Sequence, residues 1–289
     1  MIYLFIVSLI WAFSFGLIKG SLTGIDSNLV SFIRLSVSLV AFLPFLKIRN
    51  IKKNIILKLM LTGAVQYGIM YSFYIYSYNF LKAYEVALFT IFTPLFVTFF
   101  NDVFERKFNR TFFIASVAAI AGTAIVVYTE FDFQKVLKGF LIVQASNICF
   151  AFGQIYYRRI MKDIEGVKDY NIFGFVYAGA ALITGLFTLF MTDFSMVAIN
   201  SQQLYILIYL GAVASGFAFF LWNFGARKTD AGALAVFNNL KIPLAITVSL
   251  LFFGESTDIL KLIAGLLIIL AGLLFNEYKL GFSFRKKTL

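Results

Sequence analysis

Lys241 is the residue in this sequence with the most to explain. It stands in Asn238-Asn239-Leu240-Lys241-Ile242-Pro243, inside a long apolar run. An ammonium at the centre of a membrane helix costs about 2.5–3.5 kcal/mol, so it has to meet a partner or a wet cavity. Pro243 has no N–H to give the carbonyl of residue 239, which loosens the backbone beside the charge. Cation, amides and a freed carbonyl are the chemistry of a pocket for an anion. The competing reading is a structural clasp, with Lys241 paired to an acid such as Glu85 or Glu255.

Two polar stripes accompany it. Tyr67, Tyr71, Tyr74 and Tyr78 recur at helical spacing and put four phenols on one face. Lipid offers a phenol no partner, so Tyr71 and Tyr74, at mid-depth, are expected to turn toward a cavity. Tyr67 and Tyr78 fall nearer the ends, where interfacial belts and helix packing also use tyrosine. Gln144, Asn147, Ala151, Gln154 and Arg158 share a face of another apolar run, and Asn147 is the residue expected to line a path. Arg34 lies about two turns into its run and is expected to snorkel to the surface. Lys19 and Glu85 are expected at the interface, with Glu105 and Glu255 capping helices at the membrane edge.

The elements carrying these residues follow from composition. The chain is 61% hydrophobic and 13% charged, with mean hydropathy +0.89, against roughly 45–50% and 25% in soluble domains. Apolar runs lie near 2–19, 28–46, 56–79, 84–103, 111–129, 137–157, 170–192, 203–223, 231–253 and 258–277. Each is long enough to cross a hydrocarbon core of about 30 Å as a helix. Membrane strands would alternate apolar and polar residues, which these runs do not. The first run lacks a basic leader and a small-residue cleavage site and is expected to be a mature helix. The longest linker is the charged stretch from Arg158 to Asp169. The lone Cys149 supplies neither a disulfide framework nor a metal site.

The net charge of +11 is a topology signal. Basic residues crowd the loops after even-numbered spans and the tail: Lys47 to Lys58, Arg106 to Arg110, Arg158 to Lys168, Arg227 with Lys228, and Lys279 to Lys287. The opposite loops hold only Lys19, Lys82, Lys135, Lys138 and Lys261. That bias places both termini in the cytoplasm and gives no reason to expect a nucleic-acid partner.

The chain also echoes itself. Gly63-Ala64-Val65-Gln66-Tyr67-Gly68 returns as Gly211-Ala212-Val213-Ala214-Ser215-Gly216, and Phe13-Ser14-Phe15-Gly16, Tyr78-Asn79-Phe80, Pro94-Leu95 and Ile120-Ala121-Gly122 have collinear partners. The expected fold is therefore an all-α integral membrane protein of about ten transmembrane helices, built from two inverted five-helix repeats, 1–130 and 131–289. An odd number of spans forces the second half to enter from the opposite face, the arrangement that supports alternating access around a midplane site.

Trp11-Ala12-Phe13-Ser14-Phe15-Gly16 with Lys19, Phe32-Ile33-Arg34-Leu35, Pro94 followed by Glu105-Arg106, and Pro243 followed by Gly254-Glu255 resemble the EamA-like family of the drug/metabolite transporter superfamily. The resemblance covers nearly the whole chain. It implies a carrier in a bacterial or archaeal inner membrane, with a central cavity lined by the first, third and fourth helices of each half, and often an exporter. The candidate substrate-binding set is Lys241, Asn238, Asn239, Tyr71, Tyr74, Asn147, Ser14, Trp11 and Trp222, with Pro94 and Pro243 as hinges. The first expectation for the substrate is an amino acid or related carboxylate. Another metabolite or drug, such as a vitamin, a nucleobase or a toxic compound, stays open in either direction. A coupling ion is possible, a monomer suffices, and neither cofactor nor metal is expected. The chain has no Walker loop, and no convergent acid, histidine and nucleophile set calls for an enzyme.

Overall fold

The computed structural model describes residues 2–47, 51–106, 133–164, 166–228 and 231–254, with positions 260, 263 and 267. Every regular element among them is helical. In chain order these are α1 (Ile2–Leu22), α2 (Ser27–Phe45), α3 (Lys53–Ser77), α4 (Ala83–Glu105), α5 (Phe133–Lys162), α6 (Phe173–Met191), α7 (Ser201–Arg227) and α8 (Ala231–Phe252). Seven, α1 to α7, are long and apolar enough to cross a membrane. The chain is thus a multi-pass membrane protein. The expected span 111–129, all but positions 260, 263 and 267 of the expected span 258–277, and the residues Glu255 and Lys107 lie outside the described residues.

Polar residues set the helix starts. Asp26 accepts from the N–H groups of Asn28 and Leu29 at 3.1 and 3.0 Å, and Thr192 at the end of α6 donates to the same carboxylate at 2.5 Å. Asn200 and Gln203 close a reciprocal capping box at α7. Glu85 accepts from the Lys82 N–H at 2.7 Å at the head of α4. It is buried there, at 4% exposure, where an interfacial position was expected. Capping draws its carboxylate inward.

The helix α5 runs past 157 to Lys162, so the first part of the expected charged linker, Arg158 to Lys162, is helical. Its basic residues Arg159 and Lys162 suit a helix C-terminus. The linker that follows is anchored by Asp169, which is buried and accepts from Tyr157 at 2.9 Å and from Arg227 at 2.6 Å.

Packing follows small residues. A Cβ on Gly63 would overlap the carbonyl of Val176, and one on Gly179 would overlap that of Met60, so α3 and α6 meet backbone to backbone. Gly211 brings α7 almost as close to Arg34 of α2. Helix α6 packs on α2 and α3, α2 on α6 and α7, α1 on α7 and α8, and α5 on α3 and α4. Large apolar side chains such as Leu57, Leu189, Phe190 and Tyr205 face outward, as a lipid-facing surface requires.

The echoed glycine motifs coincide with a departure from α-helical winding. Both Ala64–Ile69 and Leu210–Phe217 are wound as π-helix. In α7 the loosened carbonyls accept side chains: Ser38 reaches Gly211 O at 2.7 Å, Trp11 Nε1 reaches Ala214 O at 2.9 Å, and Tyr177 reaches Ser215 O and Gly216 O.

Candidate functional site

A cavity opens between α1, α2, α3, α4, α5, α7 and α8. Its walls are Trp11, Phe15, Met70, Phe150 and Phe219, and its polar groups are Ser14, Arg34, Tyr71, Tyr74, Thr90, Thr93, Ser146, Asn147 and Lys241. Two cations and no acid line it among the described residues.

Lys241 sits in an aromatic cage. Its Nζ lies 5.2 Å from the Trp11 ring, 5.7 Å from Phe150 and 5.9 Å from Trp222. Ring faces attract a cation without taking up its hydrogen-bond donors. Among the described residues Lys241 forms no ion pair, so the clasp with Glu85 is not made. Trp11 fixes one side of the cage, with its ring 4.9 Å from Trp222 and its indole N–H held by α7.

Arg34 overturns the expectation that it would snorkel. It is 1% exposed. Its Nη2 donates to the Tyr71 hydroxyl at 2.7 Å and to Ser215 Oγ at 3.1 Å, while Nε donates to Ser215 Oγ at 3.3 Å. The Tyr71 ring lies 4.4 Å from the guanidinium carbon. Inward partners from α3 and α7 hold the side chain inside.

The third polar edge is built by Pro94. Pro94 has no N–H for the Thr90 carbonyl, so the Thr93 N–H and hydroxyl both turn to Thr90 O, in a 3₁₀ turn at Thr90–Phe92. That withdraws Thr93 N–H from the Phe89 carbonyl. The side chains of Asn147 and Gln144 take its place, at 2.9 and 3.2 Å. Thr93 also donates to Asn147 Oδ1 at 3.3 Å. Pro94 therefore acts on the cavity wall through its neighbours.

Of the residues singled out in the sequence, Lys241, Tyr71, Tyr74, Asn147, Ser14 and Trp11 meet around this cavity. Trp222 does not line it and packs behind Trp11. Asn238 is buried one turn from Lys241 without lining it. The side chains of Asn239 and Pro243 lie outside the described residues. Tyr78 shares a 2.7 Å hydrogen bond with Tyr74, whereas Tyr67 is drawn aside by Asn223, which donates to its hydroxyl at 2.8 Å. Gln154, two turns beyond Asn147 on α5, is 2% exposed with neither amide atom hydrogen-bonded among the described residues. The lining also takes in Arg34, Thr93 and Phe219, which stand outside the candidate set read from the sequence. Arg34 carries a signal as a charge inside an apolar run, and Phe219 through its spacing with Ser215 and Trp222.

The sequence profile of the EamA-like transporter family matches residues 1–128 and 137–277. The chain is 35% identical over 277 residues to a protein of Pseudomonas aeruginosa named "Probable biotin transporter", covering 95% of this chain and 96% of that one. It is 35% identical to a "Biotin transporter" of Salmonella typhimurium and 34% identical to one of Escherichia coli K12, each over 275 residues and covering 94% of this chain and 91% of the other. A solved crystal structure superposes with TM-score 0.69 at 18% identity, covering 95% of both chains, a likeness of fold.

Proposed function

The chain belongs to the EamA-like transporter family, and from that membership we propose that it carries biotin, or a vitamin of the same carboxylate-bearing kind, by alternating access. That it transports a small molecule follows from the family and from its relatives. Biotin is the finer reading, and the observation that carries it is the cavity: two cations, no acid among its described lining residues, and aromatic walls.

Biotin joins a carboxylate, on an aliphatic arm, to a ring system bearing a ureido group. The carboxylate suits the cations, and the apolar arm and ring suit Trp11, Phe150 and Phe219. The ureido N–H and carbonyl groups suit the hydroxyls and amide of Thr93, Ser146 and Asn147. An α-amino acid would bring an ammonium beside Arg34 and Lys241 with no carboxylate among the described lining residues to receive it. The amino-acid expectation is therefore replaced, and the relatives' printed names, which specify biotin, support the change.

Two five-helix repeats, 1–130 and 131–289, would supply the alternating states. The paired packing of α3 on α6 with α7 on α2, and of α1 on α8 with α5 on α4, supports matching α1–α4 to α5–α8. The π-wound glycine motifs at equivalent places in α3 and α7 support it too. The basic loops favour cytoplasmic termini in a bacterial inner membrane. A pair of repeats within one chain is compatible with a functional monomer. The relatives' names carry no direction of movement.

The two tryptophans of the chain test occupancy of this cavity. Trp11 lines it and Trp222 stacks behind. Titrating biotin into purified protein should change tryptophan fluorescence saturably, and Trp11→Phe should remove most of the response. A saturable response to amino acids with none to biotin would overturn the reading.

A further inference from the structure

We propose that Arg34 is the residue that binds the substrate carboxylate, and that Tyr71 and Ser215 aim its guanidinium. The inference rests on the carboxylate reading above and assigns the anion to one of the two cavity cations.

The geometry separates those cations. Three of Arg34's bonds are fixed, all from Nε and Nη2, to Tyr71 and Ser215. The hydroxyls of Tyr71 and Ser215 are themselves 3.0 Å apart, closing a triangle that holds the guanidinium plane. Its remaining nitrogen, Nη1, is buried without a hydrogen-bond partner among the described residues. A buried donor on a charged group is costly to leave unmade. The side chain lines the cavity, so a ligand there can complete it. Held in that plane, Nη1 presents charged N–H donors in a fixed direction, which a carboxylate oxygen can accept.

Lys241 is arranged differently. Three ring faces already surround its ammonium. Its flexible stem and rotatable donors impose no fixed direction on an anion. Lys241 therefore adds positive potential to the cavity, while Arg34 fixes where the carboxylate sits.

The clamp also crosses the molecule. Arg34 and Tyr71 come from α2 and α3, whereas Ser215 comes from the π-wound part of α7. A carboxylate on Nη1 would thus bind a group whose aim depends on both halves staying in register.

The test compares biotin with biotinamide, which lacks only the charge, in equilibrium binding to the purified full chain. Wild type should prefer the acid by about a hundredfold, the order expected for a hydrogen bond from a charged donor in a buried site. Arg34→Gln should keep only a few-fold preference for the acid, the part that the potential of Lys241 supplies. Lys241→Met should weaken the acid yet keep a preference of tens of fold. Tyr71→Phe and Ser215→Ala should each lower the ratio by about tenfold with amide affinity unchanged, a readout that loss of packing alone would not give. If Arg34→Gln does not fold, Arg34→Lys keeps the charge without the fork and should lose at least tenfold of the ratio.

An unchanged ratio in the Arg34 variants, or its loss in Lys241→Met alone, would move the carboxylate to Lys241 and overturn the assignment while the function stands. Wild type binding acid and amide equally would also overturn the assignment. Wild type binding neither would sink the biotin reading together with it.

Discussion

Gln66 and Asn223 hold each other by a reciprocal amide pair, Gln66 Nε2 to Asn223 Oδ1 at 3.1 Å and Asn223 Nδ2 to Gln66 Oε1 at 3.3 Å, joining α3 to α7. Both are buried. Gln66→Leu should strand a buried amide and cost about 1–3 kcal/mol, more than the roughly 0.6 kcal/mol average for a single membrane hydrogen bond. Gln66→Leu with Asn223→Leu should cost less than the two single changes summed, because neither amide is left facing an apolar side chain and only Tyr67 loses its donor. Thermal unfolding in detergent measures this, and strict additivity would mean the pair is not coupled.

The sequence made one kind of information legible and withheld another. Helical spacing placed Tyr71, Tyr74 and Asn147 on inward faces, and cost alone forced Lys241 inward. Arg34 could not be read the same way. Two turns into its helix, its long side chain can reach either the surface or the interior. The choice was made by Ser215, 181 residues away in sequence. The role of Pro94 was equally hidden, because its effect on Asn147 passes through the Phe89 carbonyl. The glycine echo announced a repeat, but the π winding that it shares between α3 and α7 is a backbone property with no residue signature of its own.

Glycine spacing at the α3–α6 crossing sets a second expectation. Gly63→Ala and Gly179→Ala each push a methyl into backbone on the facing helix, where no side chain can swing away. Each should sharply lower the yield of monodisperse protein after extraction. Gly20→Ala meets only the edge of the Phe253 ring at 3.3 Å and should be tolerated. Equal yields for all three would contradict the close crossing.

Lys241→Met distinguishes a functional cation from a clasp. The cage around Lys241 is aromatic, and no described acid pairs with it. Replacement should leave thermal stability unchanged or raised, while transport falls at least tenfold. A drop of several degrees with transport retained would indicate a structural partner.

Inverted topology is checked by single cysteines in a Cys149→Ala background. Lys53→Cys and Lys228→Cys should react only from the cytoplasmic face, and Thr23→Cys and Ser195→Cys only from outside. Lys53 follows the second helix of the first half and Ser195 the second helix of the second half. Labelling of those two from the same face would rule out inversion.

Counterflow in liposomes tests biotin carriage most directly. Purified protein is reconstituted with millimolar unlabelled biotin inside, and uptake of labelled biotin is followed from a dilute exterior. Transient accumulation above equilibrium, absent from empty liposomes and lost in Arg34→Gln, is the predicted result. Accumulation of an amino acid under the same conditions, with biotin inert, would contradict it.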